Sequence, residues 1–135
     1  MAIDLVHINA HGLDRIAPFL EDALVQGGGL RDWTLEDVLE MAESNQIDLW
    51  ELRKDDELFG GAVSVLRNFP RRIAFDILLL GTYPHRDRDL MVVLDLVKNV
   101  ARAVGATTIS GTGRPGWARM LKATERRIFE IEVPA

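Results

Sequence analysis

The sequence contains no cysteine. That absence removes disulfide frameworks, thiolate nucleophiles and sulfur-ligated zinc together, and it is compatible with a reducing compartment. Histidine is scarce: His7, His11 and His85 are the only three, and their spacing fits no metal-ligand pattern, so no metal site is expected. Tyr83 is the single tyrosine, so a phenolic acid or base can come from one position alone. No basic stretch leads into an apolar run after Met1, which leaves no sign of a secretory leader. Long apolar runs are also missing. The segments from Ile73 to Leu80 and from Leu90 to Leu96 are too short or too interrupted by charge to cross a bilayer. A soluble, cytoplasmic protein with no membrane-spanning segment is expected.

What is present fits one globular unit. The 135 residues are 47% hydrophobic and 27% charged, a balance that supports a core without staples, and a single domain over residues 1–135 is expected. The net charge of −5 argues against general nucleic-acid binding, which draws on clustered Lys and Arg. The basic residues nevertheless gather in the second half: Arg71 and Arg72, Arg86 and Arg88, then Arg114, Arg119, Lys122, Arg126 and Arg127. Charge runs of this kind usually cover solvated faces.

Apolar residues at Leu13, Ile16, Ala17, Leu20, Ala23 and Leu24 recur at helical spacing, with Asp14 placed to cap the start and Gly27-Gly28-Gly29 to end it. Pro18 fits a helix only near the first turn, which places the start close to Asp14. Thr34 and Asp37 make a capping-box pattern, with Trp33 and Val38 at staple positions, for a second helix running to about Ser44-Asn45. Strand-like segments follow: Ile47 to Arg53, Leu58 to Leu66, and Ile73 to Leu80, separated by polar or Pro-containing turns. In the third, Ile73, Phe75, Ile77 and Leu79 share one face and Ala74, Asp76, Leu78 and Leu80 the other, so it is expected to be central. A long helix carries Leu90, Val93, Val97, Val100 and Val104, with Gly105 as its stop. A strand from Thr107 to Ser110, a short helix from Trp117 to about Ala123 and a last strand from Ile128 to Val133 complete the order.

This order resembles the GNAT N-acetyltransferase superfamily from about Asp14 onward. The resemblance implies an α/β (α+β) fold, a mixed central sheet with an antiparallel meander flanked by helices. In that family the turn after the central strand carries an Arg/Gln-x-x-Gly-x-Gly/Ala signature, whose backbone N–H groups hold the pyrophosphate of acetyl-CoA at a helix start. Here the turn reads Gly81-Thr82-Tyr83-Pro84-His85-Arg86-Asp87-Arg88-Asp89. The glycine pair is missing, Pro84 removes a donor, and two aspartates oppose phosphate. By resemblance the cofactor-binding positions are Leu80, Thr82, His85, Arg86 and Arg88, where arginine forks could replace the backbone cradle or pair locally with Asp87 and Asp89. The family's proton-donating Tyr on the short helix has no counterpart, since Met120 and Leu121 stand nearest. Gly27-Gly28-Gly29 follows a helix and is no phosphate loop, whereas Gly111-Thr112-Gly113 follows a strand and has the context to hold an anion.

Asp76 and Tyr83 are the catalytic candidates. Asp76 is the one acid within the central strand; it could serve as a base, or pair with Arg71, Arg72 or a neighbouring strand. Trp50 and Trp117 read more readily as packing residues than as binding platforms. Leu49-Trp50, Gly113-Arg114-Pro115-Gly116-Trp117 and the missing phosphate signature together resemble small GNAT-like proteins of phages and prophages, in particular the GNAT-like internal virion protein family of short-tailed phages. That resemblance implies a virion-associated or assembly component with little or no acyl transfer and no cofactor, acting through phage structural proteins or self-association in the host cytoplasm or the particle. Arg114, Trp117, Arg119 and Lys122 would form its interface. The alternative is an acetyl-CoA-dependent N-acyltransferase with a non-standard phosphate loop.

Overall fold

The computed structural model describes residues 2–26, 33–83, 87–111, 124 and 131–134, with the side chains of Gln26, Asp87, Arg88 and Leu90 excepted. Five strands form one mixed sheet in the order β1-β2-β3-β4-β5: β1 (Ile3–Ile8), β2 (Asp48–Lys54), β3 (Glu57–Phe69), β4 (Arg72–Thr82) and β5 (Thr108–Gly111). The first four are antiparallel neighbours, and β5 pairs parallel to β4. The helices are α1 (Leu13–Gln26), α2 (Leu35–Glu43) and α3 (Asp87–Ala103). This is the expected α/β arrangement.

The helix ends follow from local chemistry. Thr34 and Asp37 make both bonds of the capping box at α2: the Asp37 N–H donates to Thr34 Oγ1 at 3.2 Å and the Thr34 N–H to Asp37 Oδ2 at 2.8 Å. Gly105, at φ +84°, ends α3 in the left-handed conformation glycine allows. The Ala106 N–H closes the turn onto the Ala101 carbonyl at 2.8 Å. At α1 the cap differs from expectation. A 3₁₀ turn, Ala10–Gly12, precedes the helix and Asn9 caps it through the His11 N–H, so Asp14 lies inside the first turn instead of capping it. Pro18 consequently sits beyond the first turn, and the Asp14 carbonyl loses its helical donor. Both residues are exposed, so water can bond that carbonyl.

Each sheet face has its own core. Leu13, Ile16, Phe19, Leu20 and Leu24 of α1 pack with Val38, Leu49, Val63 and Leu79. On the other face Val93, Val97 and Ala101 of α3 pack with Trp50, Leu52, Phe59 and Phe75. Trp50 is a core residue, donating from Nε1 to Ser64 Oγ at 2.8 Å.

Four expectations are corrected. Strand β1 was not anticipated, because only Ile3 and Leu5 alternate cleanly with exposed neighbours before Val6 and His7, both exposed, blur the pattern. Val104 lies past the end of α3 and is 45% exposed. Leu79 and Leu80 exchange faces, Leu79 joining the α1-side core and Leu80 the α3-side core. Residues 131–134 are irregular, with Ile131 83% and Val133 89% exposed, so the last strand does not reach Val133; its alternation meets no partner strand among the described residues. The short helix from Trp117 lies outside the described residues, as do residues 128–130.

Candidate functional site

The site begins with a break in strand register. Along β3 and β4, Val63 faces Leu79 but the next residue, Ser64, faces Ile77. Leu78 is therefore the extra residue of a β-bulge. A strand alternates with period two, so one inserted residue exchanges the faces beyond it. Phe75, Ile77 and Leu80 join the α3-side core, while Leu78 and Leu79 join the α1 side.

The bulge coincides with the end of another pairing. Strand β5 runs beside β4 from Ala74–Thr108 to Ile77–Gly111. After Gly111 the sequence reads Thr112-Gly113-Arg114-Pro115, in which Pro115 has no N–H to give a ladder. From Leu78 to Thr82, β4 is held by β3 on one side and has no strand partner on the other among the described residues. Five residues give an edge of roughly 16 Å at 3.3 Å per residue that no described strand covers. Its outward N–H and C=O groups can pair with any extended, amide-bearing ligand.

Helix α1 closes one side of this edge. Gly61 and Gly81 are paired across β3 and β4. A Cβ on Gly61 would lie 2.6 Å from Ile16 Cβ, and one on Gly81 only 2.1 Å from the Phe19 carbonyl oxygen. The two glycines thus let the α1 backbone rest directly on β4. Tyr83 follows: its N–H donates to the Phe59 carbonyl at 3.1 Å, and its ring meets Phe19 edge-on with centroids 4.9 Å apart. It is half exposed where β4 ends. Leu80 packs into the α3-side core, and Thr82, paired with Gly60, lies on the same face.

Asp76 stands one rung before the last β4–β5 pair, in register with Ser110. Its Oδ1 accepts from Ser110 Oγ at 3.2 Å and its Oδ2 from Arg67 Nε at 2.5 Å. The pairing is to a neighbouring strand, one of the alternatives expected, and not to Arg71 or Arg72; Arg72 instead stacks its guanidinium over Phe69 at 4.7 Å. The structure brings Asp76, Leu80, Thr82 and Tyr83 onto one strand and its end. His85, Arg86, Arg114, Trp117, Arg119 and Lys122 lie outside the described residues, as does the side chain of Arg88. Among the described residues no group of three metal-ligating side chains occurs, and no helix is long and apolar enough to cross a membrane.

Two buried charge groups were not anticipated. Asp89, in the first turn of α3 and 5% exposed, receives Lys54 Nζ at 3.3 and 3.4 Å. Glu51, 2% exposed, accepts from Arg15 Nε at 2.7 Å and Arg53 Nε at 2.8 Å. Burial pushes the Glu51 carboxyl up, but the hydrogen bonds and charges of the two arginines outweigh it and hold the group below its usual 4.5. The only sequence signal for either pair is a charged residue at a core-facing position.

No protein-family model matches the sequence and no curated protein matches it. Solved structures do. A ribosomal-protein-alanine N-acetyltransferase from Brucella melitensis biovar Abortus 2308 is 15% identical and superposes with a TM-score of 0.71, over 99% of each chain. A predicted acetyltransferase from Clostridium acetobutylicum, solved with acetyl-CoA, gives 14% and 0.69 over 97% of this chain and 96% of that one. The aminoglycoside N-acetyltransferase AAC(6′)-Iy, solved with CoA, gives 14% and 0.70 over 97% and 95%. This chain has the GNAT fold. At such identities the likeness concerns the GNAT fold alone.

Proposed function

We propose that this GNAT-fold chain binds the pantetheine arm of an acyl thioester along the edge of β4 from Leu78 to Thr82 and presents the acyl group to an amine. The observation that carries the reading is the coincidence, at Leu78, of the β4 bulge with the end of β4–β5 pairing. Pantetheine is an extended chain with two amides, a length and chemistry that suit a strand edge of roughly 16 Å. That two of the similar structures were solved with CoA or acetyl-CoA supports the choice of ligand class.

In the transfer, the amine nitrogen attacks the thioester carbon, an N–C bond forms and the C–S bond breaks. The sulfur leaves as thiolate, and the proton lost by the amine nitrogen balances the one that the thiolate takes up. Asp76 is already engaged by Arg67 and Ser110, and Tyr83 rests on Phe19. With Asp76 engaged, the described groups left to move the proton are solvent and the half-exposed Tyr83 hydroxyl. The particle-component reading rests on Leu49-Trp50, on Gly113 to Trp117, which lie outside the described residues, and on the missing phosphate signature; Trp50 is a core residue, and no structural feature among the described residues favours that reading.

The test is calorimetric titration with acetyl-CoA, together with release of free thiol in the presence of a mixture of primary amines. Saturable binding with amine-dependent thiol release is expected. Absence of both in the folded protein refutes the reading.

A further inference from the structure

The Lys54–Asp89 pair bears on how such a donor is gripped. A helix N-terminus attracts phosphate because its free N–H groups carry about half a positive charge. At α3 the first turn carries Asp89, buried beneath the helix start and paired with Lys54, whose side chain is 12% exposed. The pair is neutral overall, so the lysine beneath this helix end is already neutralised by the protein's own carboxylate. The turn itself does not restore the balance. From Pro84 to Leu90, Arg86 and Arg88 are matched by Asp87 and Asp89, and Pro84 has no N–H to offer. CoA brings about four negative charges in its diphosphate and 3′-phosphate, and a helix start of this composition is a poor counterpart to them. The β4 edge is different. Its backbone groups from Leu78 to Thr82 are uncharged and would bind the amides of pantetheine whatever lies beyond them.

We infer that the chain recognises its acyl donor by the pantetheine arm and gains nothing from the nucleotide, so that the donor class is acyl-pantetheine thioesters at large. This rests on the proposed function. The same thioester exists on CoA and on the phosphopantetheine of an acidic carrier protein, and the two sources are separable by experiment. Lys54 and Asp89 act as specificity-determining residues through charge, without touching the reacting atoms.

The experiment compares S-acetylpantetheine, acetyl-CoA and an acetylated phosphopantetheinyl carrier protein as donors to the wild-type chain, by calorimetry and by thiol release. Affinities for S-acetylpantetheine and acetyl-CoA within about threefold of each other are expected. A preference for the carrier protein assigns that source, and equal use of all three assigns the bare arm. A preference for acetyl-CoA over S-acetylpantetheine of roughly thirtyfold or more overturns the inference while leaving the proposed function standing. Binding of none of the three overturns both. Asp89→Asn supplies the second arm: freeing Lys54 should tighten acetyl-CoA by about tenfold and leave S-acetylpantetheine unchanged. Equal gain or equal loss for the two ligands in the folded variant contradicts the assigned role of the pair. Should the variant fail to fold, the wild-type comparison decides alone.

Discussion

Replacing Gly81 with alanine probes the contact on which the candidate site depends. The new Cβ would stand 2.1 Å from the Phe19 carbonyl oxygen and 2.8 Å from its carbon, both backbone atoms that no rotamer change can move. An ordinary carbon–oxygen contact needs more than 3 Å, so α1 must withdraw from β4 by roughly 1 Å, a gap that forfeits up to about half of each contact's dispersion energy. Ile16, Phe19 and Leu20, all buried by α1, share that loss. We expect Gly81→Ala to destabilise the fold by about 3 kcal/mol or more, at or beyond the upper end of overpacking costs. That corresponds to a fall of roughly 10 °C in melting temperature for a domain of this size. Gly111→Ala is the control: its Cβ would lie 3.2 Å from the Ile77 carbonyl oxygen, a contact that a shift of a few tenths of an ångström relieves. Urea denaturation followed by far-ultraviolet circular dichroism reads both. A Gly81→Ala midpoint within about 0.5 kcal/mol of wild type at unchanged slope would show that α1 does not rest on β4.

Phe75, 4% exposed between Trp50 and α3, should cost about 3–5 kcal/mol on truncation to alanine, and a nearly neutral urea midpoint would contradict its placement in the α3-side core. Because the folded-state pKa of Glu51 is lowered, its ionised form adds stability that is complete above pH 4.5 and is lost as pH falls through the lower folded value. Glu51→Gln should therefore flatten stability against pH below 4.5 and cost about 1–3 kcal/mol at pH 7, less than a fully buried pair, since Arg15 is half exposed; an unchanged acid limb would refute this. Asp76→Asn should change any thiol release by less than about threefold, because its carboxylate is held by Arg67 and Ser110; a loss of a hundredfold would make it the base instead.

The parts of the fold legible in the sequence are those written in local chemistry. The Thr34–Asp37 capping box, Gly105 and the period of α3 from Val93 to Val100 each state their conformation within a few residues, and each stands where expected. Strand β1 was missed because its partner β2 begins some 40 residues away and its own alternation is short. The α1 cap was misplaced for a related reason: Asn9 and a 3₁₀ turn do the work that Asp14 was positioned to do, and only the geometry of entry from β1 selects between them.

The strand that carries the candidate site was legible, but its register was not. Resemblance pointed to Leu80 and Thr82, yet strict alternation along Ile73 to Leu80 assigned Leu79 and Leu80 to the wrong faces. A bulge leaves no mark in a run of four apolar residues, Ile77-Leu78-Leu79-Leu80, where every register looks equally hydrophobic. What fixes it is long-range: Ser64 and Val63 on β3, Gly111 on β5, and the α1 backbone on Gly81 must all be met by one strand. Those demands are compatible only if β4 carries one residue more than β3 at Leu78, and the same extra residue is where β4 and β5 part company. The feature proposed as a ligand seat is thus a consequence of packing three neighbours, β3, β5 and α1, around one strand, and it arises whether or not the glycine signature for a phosphate is present beyond it.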